Sequence, residues 1–426
     1  MRVGIVGSGY VGTTVAAGLA ECGHEITNVD IDEAVVDTIT AGETPIHEPG
    51  LEDLVASHAG DRLRATTDYR EIADAEVVLL CLPTPTGADG RPDLAALEAA
   101  TRSLGDAIAA DGDRPVVAVK STVLPGTTEG VVGEILEEMA GQDAFTLAMN
   151  PEFLRMSTAV EDFFEPDKVV IGVEESAAGD RLETLYEPIL TGEDTDLVRT
   201  TIRDAELIKY ANNAFLAAKL SLVNELGNVA KEYEADAYEV LEAVGLDDRI
   251  AARFMRSGLG WGGSCFPKDV DALRTAARDV GYDPALLDAT VAVNDRQPRR
   301  LVALLEEHVD LEGASIAVLG LAFKPHTDDI RGSRALDVID HLLERGAQVV
   351  AYDPVAMDRV REHYPDIGYA ASGEDALEGA DGAVIATEWP AFADLSFSGM
   401  AKRVLVDGRR VDVDRDALEV YEGLTW

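Results

Sequence analysis

The chain has 426 residues, of which 46% are hydrophobic, so it can form two or three domains that each bury a core. Its 80 acidic residues against 36 lysines and arginines give a formal net charge of −44. This charge would repel nucleic-acid phosphates and anionic lipids, so neither a nucleic acid nor a membrane is an expected partner.

The opening stretch RVGIVGSGYVGTTVAAGLAECGHEITNVDID predicts a strand, a glycine turn, a helix to about Cys22 and a second strand that ends at Asp30. Further apolar strands are predicted at EVVLLCLP and PVVAVKST, with helix-like stretches between them. The alternation indicates a parallel sheet covered by helices on both faces. We expect this first domain to span residues 1–195.

A long helix is predicted from Asp204 to about Tyr233, because this segment has no proline and its apolar residues recur near helical spacing. Those apolar residues are Leu207, Ala211, Phe215, Leu222 and Leu226. Helical patterns continue to about Glu307, so we expect a central helical domain at 196–305 that joins two halves of the protein.

The segment SIAVLGLAFKPHTDDIRGSRALDVIDHLLERGAQVVAYDP repeats the opening plan, with its second strand ending at Asp353. Because Gly320 is followed by Leu-Ala-Phe-Lys rather than by Gly-x-x-Gly, this domain, 306–426, should bind something other than a dinucleotide. The expected fold is α/β, with two Rossmann-like, doubly wound parallel-sheet domains joined by a long central helix and a helical dimerisation region.

A dinucleotide-binding turn is indicated by Gly7-x-Gly9-x-x-Gly12, which lies between a predicted strand and a predicted helix. Glycines there permit a tight turn, close approach of the backbone to a pyrophosphate and close packing of the helix. A carboxylate at the end of the second strand, Asp30, would accept hydrogen bonds from ribose hydroxyls and repel a 2′-phosphate. The pattern predicts NAD in preference to NADP.

Lys209 and Asn213 are four residues apart on the predicted long helix, so their side chains emerge on one face. A cation and an amide donor so placed would stabilise an alkoxide or hemiacetal oxygen. The alternative is an exposed lysine with a polar neighbour. The chain contains only eight lysines, and their scarcity counts against that alternative.

The stretch GWGGSCFPKD places Cys265 in a glycine-rich turn, where Gly262 and Gly263 leave the backbone accessible. Lys268 nearby would lower the pKa of the thiol and favour a thiolate nucleophile, while Asp269 would orient a lysine or a water. The remaining cysteines, Cys22 and Cys81, are expected to be small buried hydrophobic residues, and all three to be free thiols.

These motifs resemble those of the UDP-glucose/GDP-mannose dehydrogenase family. The resemblance rests on GWGGSCFPKD, AELIKYANNAFL, NPEFLR and GLAFKPHTDDIRGS, supported by IHEPGL, PTPT and STVLPGTT, and it spans nearly the whole chain. The GGSCFPKD form is most similar to the UDP-glucose branch. The resemblance implies oxidation of the C6 alcohol of a nucleotide sugar, UDP-glucose, to a uronic acid used in polysaccharide synthesis or protein glycosylation.

The implied reaction uses two NAD+ and passes through an aldehyde. Cys265 would attack the aldehyde, the thiohemiacetal would be oxidised to a thioester, and water would hydrolyse it. By resemblance, Lys209 and Asn213 stabilise the oxyanions. Asp269 and Thr122 match residues that hold a catalytic water, and Glu152 matches a carboxylate with an acid/base role.

Further contacts follow from the same resemblance. NAD is expected to contact Gly7, Gly9, Tyr10, Val11, Gly12, Asp30, Thr84, Pro85, Thr122 and Arg331. The nucleotide sugar is expected to contact Glu152, Phe153, Leu154, Lys209, Asn213, Gly262, Lys324 and Arg409. Arg249 matches an arginine that reaches the substrate of the partner subunit, so we expect a homodimer built around the long helix.

One departure from the family pattern follows NPEFLR, where the family usually continues with Glu-Gly and this chain has Met156-Ser157. A second carboxylate near the expected site is therefore missing, and thioester hydrolysis would rest more heavily on Glu152.

Three alternatives stay open. GDP-mannose or a UDP-N-acetylhexosamine could replace UDP-glucose, because sugar specificity lies in a few loop contacts. A single-step β-hydroxyacid dehydrogenase has a similar first domain, long helix and Lys-x-x-x-Asn pair, but lacks the cysteine and the added α/β domain. A non-catalytic NAD-binding protein would need neither the thiol nor the lysine.

The cellular setting is also indicated by composition. No apolar run reaches the roughly 20 residues of a membrane helix and the first residues are not a secretion leader, so we expect a cytoplasmic protein. The acidic surface and the preference for arginine over lysine are typical of a salt-adapted, haloarchaeal cytosol, where salt screens self-repulsion. The seven histidines show no metal-ligand spacing, and no metal is expected.

Overall fold

The computed structural model of the chain describes residues 1–87, 89–111, 114–190 and 195–426. The chain folds as two compact units, Met1–Asn212 and Asn213–Trp426. The division falls inside one continuous helix, so each unit contains part of it. The finer division into domains at 195 and 305 stays a prediction.

The elements of the first unit alternate along the chain. Its strands are β1 (Arg2–Val6), β2 (Glu25–Val29), β3 (Leu63–Thr66), β4 (Val77–Leu80), β5 (Val116–Val119), β6 (Thr146–Met149), β7 (Lys168–Val173) and β8 (Asp196–Thr200). Its helices are α1 (Tyr10–Glu21), α2 (Glu33–Thr40), α3 (Leu51–His58), α4 (Ala95–Asp111), α5 (Glu134–Ala140), α6 (Ala159–Phe164) and α7 (Ser176–Tyr186), with a π-helical turn at Thr128–Gly133 and 3₁₀ turns at Tyr69–Ile72 and Glu187–Ile189.

The sheet of the first unit has the strand order β3-β2-β1-β4-β5-β6-β7-β8. Its first six strands have the order of a dinucleotide-binding sheet. The side chains of β4 and β5 are buried throughout, as expected for parallel strands covered on both faces. One feature differs from the prediction, because β7 pairs antiparallel with β6. Apolar runs predict a strand without predicting its direction.

The second unit begins within α8 (Ile202–Glu232). Its other helices are α9 (Ala237–Gly245), α10 (Phe266–Asp279), α11 (Ala285–Glu306), α12 (Arg334–Glu344), α13 (Met357–His363) and α14 (Gly373–Leu377). Its strands are β9 (Ser315–Leu319), β10 (Gln348–Tyr352), β11 (Gly368–Tyr369), β12 (Gly382–Ile385), β13 (Val404–Asp407) and β14 (Val420–Gly423), with 3₁₀ turns at Pro390–Asp394, Phe397–Gly399 and Arg415–Ala417.

The second sheet has the order β11-β10-β9-β12-β13-β14, with parallel pairing throughout the described strands. This is the order of the first six strands of the first sheet, so the predicted second α/β fold is confirmed. Buried apolar side chains pack on both faces of this sheet. Ligands in such sheets bind beyond the carboxyl ends of the strands, which places the loops after β1, β9 and β13 at candidate sites.

The long helix was predicted within two residues of its observed ends. Much of its apolar stripe is not packed within the chain: Leu207, Phe215, Leu222 and Leu226 are all exposed. Among the described helices, none has the length and apolarity that crossing a bilayer requires.

Candidate active site

The glycine turn after β1 requires its glycines for different reasons. Gly7 has φ +97°, and a Cβ there would lie 2.7 Å from the carbonyl oxygen of Cys81. A Cβ on Gly12 would lie 1.9 Å from the carbonyl oxygen of Gly7, so only glycine lets the first turn of α1 pack against the loop. A Cβ on Gly9 would meet nothing within 4 Å. The space above Gly9, at the amino end of α1, is therefore open to a ligand.

Asp30 lies beside this turn, directly after β2. Its Oδ2 accepts from the backbone N–H of Ser8 at 2.6 Å, and its Oδ1 accepts from the backbone N–H of Asp32 at 3.1 Å. The carboxylate is only half-buried and retains acceptor capacity. The open cradle at Gly9 and this carboxylate fit NAD+, with the pyrophosphate at the amino end of α1 and the ribose at Asp30.

The other predicted cofactor contacts surround the turn. Thr84 donates its hydroxyl to the carbonyl oxygen of Thr122 at 2.8 Å, which joins the loops after β4 and β5. The carbonyl oxygen of Pro85 accepts from Asp93 at 2.7 Å. Tyr10 begins α1 with its hydroxyl on Glu48, and Val11 packs against the core of the sheet.

The corresponding aspartate of the second sheet, Asp353, has a different role. It is fully buried and accepts from the backbone N–H groups of Leu321, Ala322, Val355 and Ala356 and from the indole N–H of Trp389. These donors occupy the carboxylate, so it cannot also accept from ribose hydroxyls. Asp353 closes the turn after β9 and leaves no equivalent of the first unit's ribose site.

Glu152 and Lys209 form a buried ion pair in the first unit. The Lys209 ammonium donates to the carbonyl oxygen of Glu152 at 2.8 Å and to its Oε1 at 2.9 Å. Burial by itself would raise the pKa of Glu152, but the charge and hydrogen bond of Lys209 and the backbone N–H of Leu154 lower it below its ordinary value. Glu152 is therefore ionised at neutral pH and can act as a base. The ring of Phe153 lies 5.3 Å from the Lys209 nitrogen.

Asn213 lies in the second unit, where its Nδ2 donates to Oδ2 of Asp269 at 2.6 Å. The other Asp269 oxygen accepts from Lys268 at 2.6 Å. Asp269 is only 1% exposed, so these hydrogen bonds hold it at a defined position in the first turn of α10. Lys209 and Asn213 lie one turn apart on α8, and each holds a different carboxyl group.

Cys265 is exposed and forms the amino cap of α10. The other two cysteines are poor nucleophiles, because burial raises the pKa of Cys81 to about 12 and that of Cys22, with the charge of Glu21, to about 11. Cys81 is buried as expected, whereas Cys22 is half-buried. Cys265 is thus the accessible thiol among the three cysteines of the sequence.

Lys268, which follows Cys265 closely in the sequence, pairs with Asp269, the residue expected to orient a lysine or a water. The pKa of Arg331 is raised mainly by its hydrogen bond to Asp329, and the charge of Cys265 raises it further. The carbonyl oxygen of Arg331 also accepts from Gly263 at 2.9 Å. Arg331 is therefore a cationic side chain near Cys265.

Gly262 is required by the same contact between loops. A Cβ there would lie 1.9 Å from the carbonyl oxygen of Gly332, so a side chain would force the cysteine loop away from the loop after β9. An open cleft of about 480 Å³ adjoins these loops and is lined in part by Arg331, Arg359 and His363.

Arg409 follows β13 on a turn held by Asp407. Asp407 Oδ1 accepts from the backbone N–H groups of Arg409 and Arg410. Its Oδ2 accepts from the backbone N–H of Val411 and from the hydroxyl of Tyr421. Burial raises the pKa of Asp407 to about 6 despite these donors. The Arg409 guanidinium donates to the carbonyl oxygens of Ala386 at 2.9 Å and Gly260 at 3.3 Å.

Two further residues predicted to contact the substrate, Lys324 and Arg249, lie beside an aromatic ring and a carboxylate. Lys324 lies over the ring of Phe323, 5.6 Å from its centre. Arg249 has a side chain 88% exposed and is paired with Asp247. Its exposure leaves the guanidinium accessible to another molecule.

Sequence reasoning missed some buried polar residues near these groups. Lys120 donates to Asn150 Oδ1 at 2.9 Å and to the Tyr186 hydroxyl at 3.2 Å, and its charge helps to lower the pKa of Glu152. The signal available was the scarcity of lysine together with the position of Lys120 before Ser121-Thr122. Glu206 accepts from the backbone N–H groups of Gly126 and Thr128, and no spacing in the sequence predicts that contact.

Among the described residues, no group of three or more histidine, cysteine, aspartate or glutamate side chains could hold a metal ion.

Comparison with known proteins assigns these features to one family. Residues 1–190 match the NAD binding domain of the UDP-glucose/GDP-mannose dehydrogenase family, residues 203–296 its central domain and residues 317–413 its UDP binding domain. NAD is accordingly the cofactor, as predicted.

Individual relatives agree. The chain is 53% identical to the UDP-glucose 6-dehydrogenase AglM of Haloferax volcanii, over 100% of both chains. It is 40% identical to a GDP-mannose 6-dehydrogenase of Pseudomonas putida, over 83% of this chain and 81% of the relative. A solved UDP-glucose dehydrogenase from the hyperthermophilic archaeon Pyrobaculum islandicum is 42% identical, with a TM-score of 0.93 over 100% of this chain and 98% of its own. The chain belongs to the UDP-glucose/GDP-mannose dehydrogenase family.

Proposed function

We propose that this chain oxidises the C6 alcohol of UDP-glucose to the carboxylate of UDP-glucuronate through a thioester on Cys265. The observation that carries the proposal is the Cys265 thiol, which is exposed at the amino end of α10 with Arg331 as its cationic neighbour. An exposed thiol is a nucleophile suited to attack a carbonyl carbon.

The first half of the proposed reaction removes two electrons from the alcohol and leaves an aldehyde. NAD+, when bound, supplies the hydride acceptor for both oxidations. Lys209 and Asn213 provide an ammonium group and an amide N–H to the oxygen that gains negative charge. Cys265 then forms a C–S bond to the aldehyde carbon, and the carbonyl oxygen becomes the hydroxyl of a thiohemiacetal, whose carbon carries a hydrogen that can be removed.

In the second half, loss of that hydrogen as a hydride to bound NAD+ and of the hydroxyl proton would convert the thiohemiacetal into a thioester, which is then hydrolysed. Water forms a C–O bond to the thioester carbon, the C–S bond breaks, and the electron pair returns to Cys265 as a thiolate. Glu152, ionised because Lys209 lowers its pKa, accepts the proton of the water. Asp269, fixed by Asn213 and Lys268, and Thr122 hold the water in this proposal.

The names of two similar proteins support UDP-glucose as the substrate in preference to the alternatives. The AglM protein and the Pyrobaculum islandicum protein both carry the name of a UDP-glucose dehydrogenase, and both align over the whole chain. The GDP-mannose relative has lower coverage. GDP-mannose therefore remains the second candidate. The thiol and the complete set of family domains disfavour a β-hydroxyacid dehydrogenase and a non-catalytic NAD-binding protein.

We also propose a homodimer built around α8, acting in the cytoplasm. Support comes from the exposed apolar face that includes Phe215, Leu222 and Leu226, since a soluble monomer rarely exposes a row of such residues. Arg249, exposed after α9, would complete the site of the partner subunit. Within this assembly we assign residues 1–195 to cofactor binding, 196–305 to catalysis and dimerisation, and 306–426 to the nucleotide.

The test is the yield of NADH per sugar nucleotide consumed. UDP-glucose, GDP-mannose and UDP-N-acetyl sugars are compared in high-salt buffer with wild type, Cys265→Ser and the matched control Cys22→Ser. We expect two NADH from UDP-glucose with wild type and the control, and no uronic acid from Cys265→Ser. One NADH per sugar, or acid formation by Cys265→Ser, would contradict the thioester route.

A further inference from the structure

Glu48 is a buried carboxylate to which the proposed reaction assigns no role. It lies in the loop between α2 and α3 and is 4% exposed. Its Oε2 accepts from the Tyr10 hydroxyl and from the backbone N–H of Ser157 at 2.8 Å, and its Oε1 accepts from the backbone N–H of Ala159 at 2.7 Å. One carboxylate thus joins three separate stretches of the first unit.

Two of these stretches belong to the cofactor-binding turn and to the loop that carries Glu152. Tyr10 directly follows Gly9 and is the first residue of α1, at the cofactor-binding turn. Ser157 and Ala159 follow the loop that presents Glu152. Burial, the hydrogen bond to Glu48 and its charge all raise the pKa of Tyr10, so the phenol keeps its proton and donates. The three donors converge on Glu48 as an acceptor.

The backbone conformation of Ser157 makes its hydrogen bond to Glu48 important for the stability of this turn. The φ of Ser157 is +70°, a left-handed conformation that costs free energy for any residue with a Cβ. Glycine adopts that conformation readily, because it has no Cβ. In this chain the hydrogen bond from Ser157 to Glu48 offsets part of the cost and holds the turn in place.

We propose that Glu48 is a positioning residue that fixes the Glu152 loop relative to the cofactor-binding turn, and that this chain depends on it because serine occupies position 157. The proposal rests on the proposed function for the role of Glu152. In this proposal Glu48 acts through Tyr10 and the backbone of Ser157 and Ala159.

The first test is Glu48→Gln, which keeps the size of the side chain but places an amide donor against other donors. The matched control is Glu52→Gln, an exposed carboxylate in α3. Calorimetry with NAD+ alone measures affinity, and steady-state kinetics measure kcat. We expect affinity for NAD+ and kcat to fall about tenfold in Glu48→Gln and to stay unchanged in the control, since a hydrogen bond to a charged group is lost.

The pH profile of kcat separates positioning from general stability. Displacing Glu152 from Lys209 removes the cause of its lowered pKa, so the acid limb of Glu48→Gln should move to higher pH. A Glu48→Gln variant that folds, binds NAD+ like wild type and keeps the wild-type acid limb would overturn the proposal.

A double variant tests whether glycine at position 157 restores the activity lost in Glu48→Gln. Glycine at position 157 removes the left-handed strain, so Glu48→Gln with Ser157→Gly should recover much of the lost kcat. Failure of that double variant to recover, with Ser157→Gly alone active, would also overturn the proposal. A wild type that oxidises none of the sugar nucleotides would contradict the proposed function only, because the binding comparison needs NAD+ alone.

Discussion

The ammonium group of Lys209 lies 2.9 Å from Oε1 of Glu152, and both side chains are at most 10% exposed. Each group therefore depends on the other for the compensation of its buried charge. An oxyanion that forms on the substrate would compete with Glu152 for the ammonium group of Lys209. As its interaction with Lys209 weakens, the Glu152 carboxylate would become a stronger base.

Glu152→Gln is the first prediction. The amide cannot accept a proton from water, so hydrolysis should slow by 10²-fold or more, on the order of the usual contribution of a general base. A covalent adduct on Cys265 should then accumulate, which mass spectrometry of quenched enzyme detects. Glu161→Gln, at an exposed carboxylate of α6, is the control. Normal NADH turnover in Glu152→Gln would reject the role.

The glycine turn gives a matched pair of substitutions. Gly9→Ala adds a methyl group to open space, so the melting temperature should hold while affinity for NAD+ falls at least about tenfold. Gly12→Ala places the methyl group 1.9 Å from the Gly7 carbonyl oxygen and should destabilise the fold itself. Thermal melting and NAD+ titration measure both effects. Equal effects of the two variants would contradict the assignment.

The proposed action of Arg249 on the partner subunit can be tested by mixing inactive variants. Arg249→Ala and Cys265→Ser subunits, unfolded and refolded together, should regain about 25% of wild-type activity, because half of the dimers then contain one complete site. Each variant refolded alone is the control. If Arg249 instead serves its own subunit, the mixture should regain nothing, since neither kind of site would be complete.

Asp407 predicts a pH dependence of stability. Its pKa is raised by burial from an ordinary 3.8 to about 6, so the folded state binds the proton more tightly than the unfolded state does. The free energy of unfolding therefore decreases as the pH rises from about 3.8 to about 6. The stability of wild type relative to Asp407→Asn should fall by about 1.4 kcal/mol for each pH unit in this window. Denaturant unfolding in high salt measures it, with exposed Asp412→Asn as the control. A constant difference between pH values would refute the assignment.

The net charge of −44 predicts a dependence on salt. The Debye length falls from about 10 Å at 0.1 M to about 3 Å at 1 M salt, so counterions should relieve self-repulsion of the compact state. The melting temperature should therefore rise between dilute and molar KCl. Higher stability in dilute salt would show that the acidic surface does not require screening.

Much of the fold could be predicted because local patterns carry it. The glycine turn, Asp30 and the long helix each follow from short-range spacing, and the second sheet from repetition of the first plan. The antiparallel direction of β7 could not be predicted, because apolar residues predict a strand but not the direction in which it pairs with its neighbours in the sheet.

The site was predicted less completely, since its contacts join distant residues. Cys265, Lys209 and Glu152 were found through motifs. The contact of Glu48 with Ser157 spans 109 positions, and no local pattern encodes it. The pairing of Lys268 with Asp269 joins neighbours in the sequence and could be anticipated, whereas the hydrogen bond from Gly263 to the carbonyl oxygen of Arg331 could not.

Asp30 and Asp353 occupy equivalent positions in two sheets of the same strand order, yet they differ in the lone pairs left free. A carboxylate has about four acceptor sites, and those of Asp353 are taken by its own loops, whereas Asp30 keeps some for a ligand. The turn after β9 therefore lacks the carboxylate acceptor sites that Asp30 offers to ribose hydroxyls. Saturation of one carboxylate thus separates the two turns of this repeated fold, since only the turn beside Asp30 keeps acceptor sites for ribose hydroxyls.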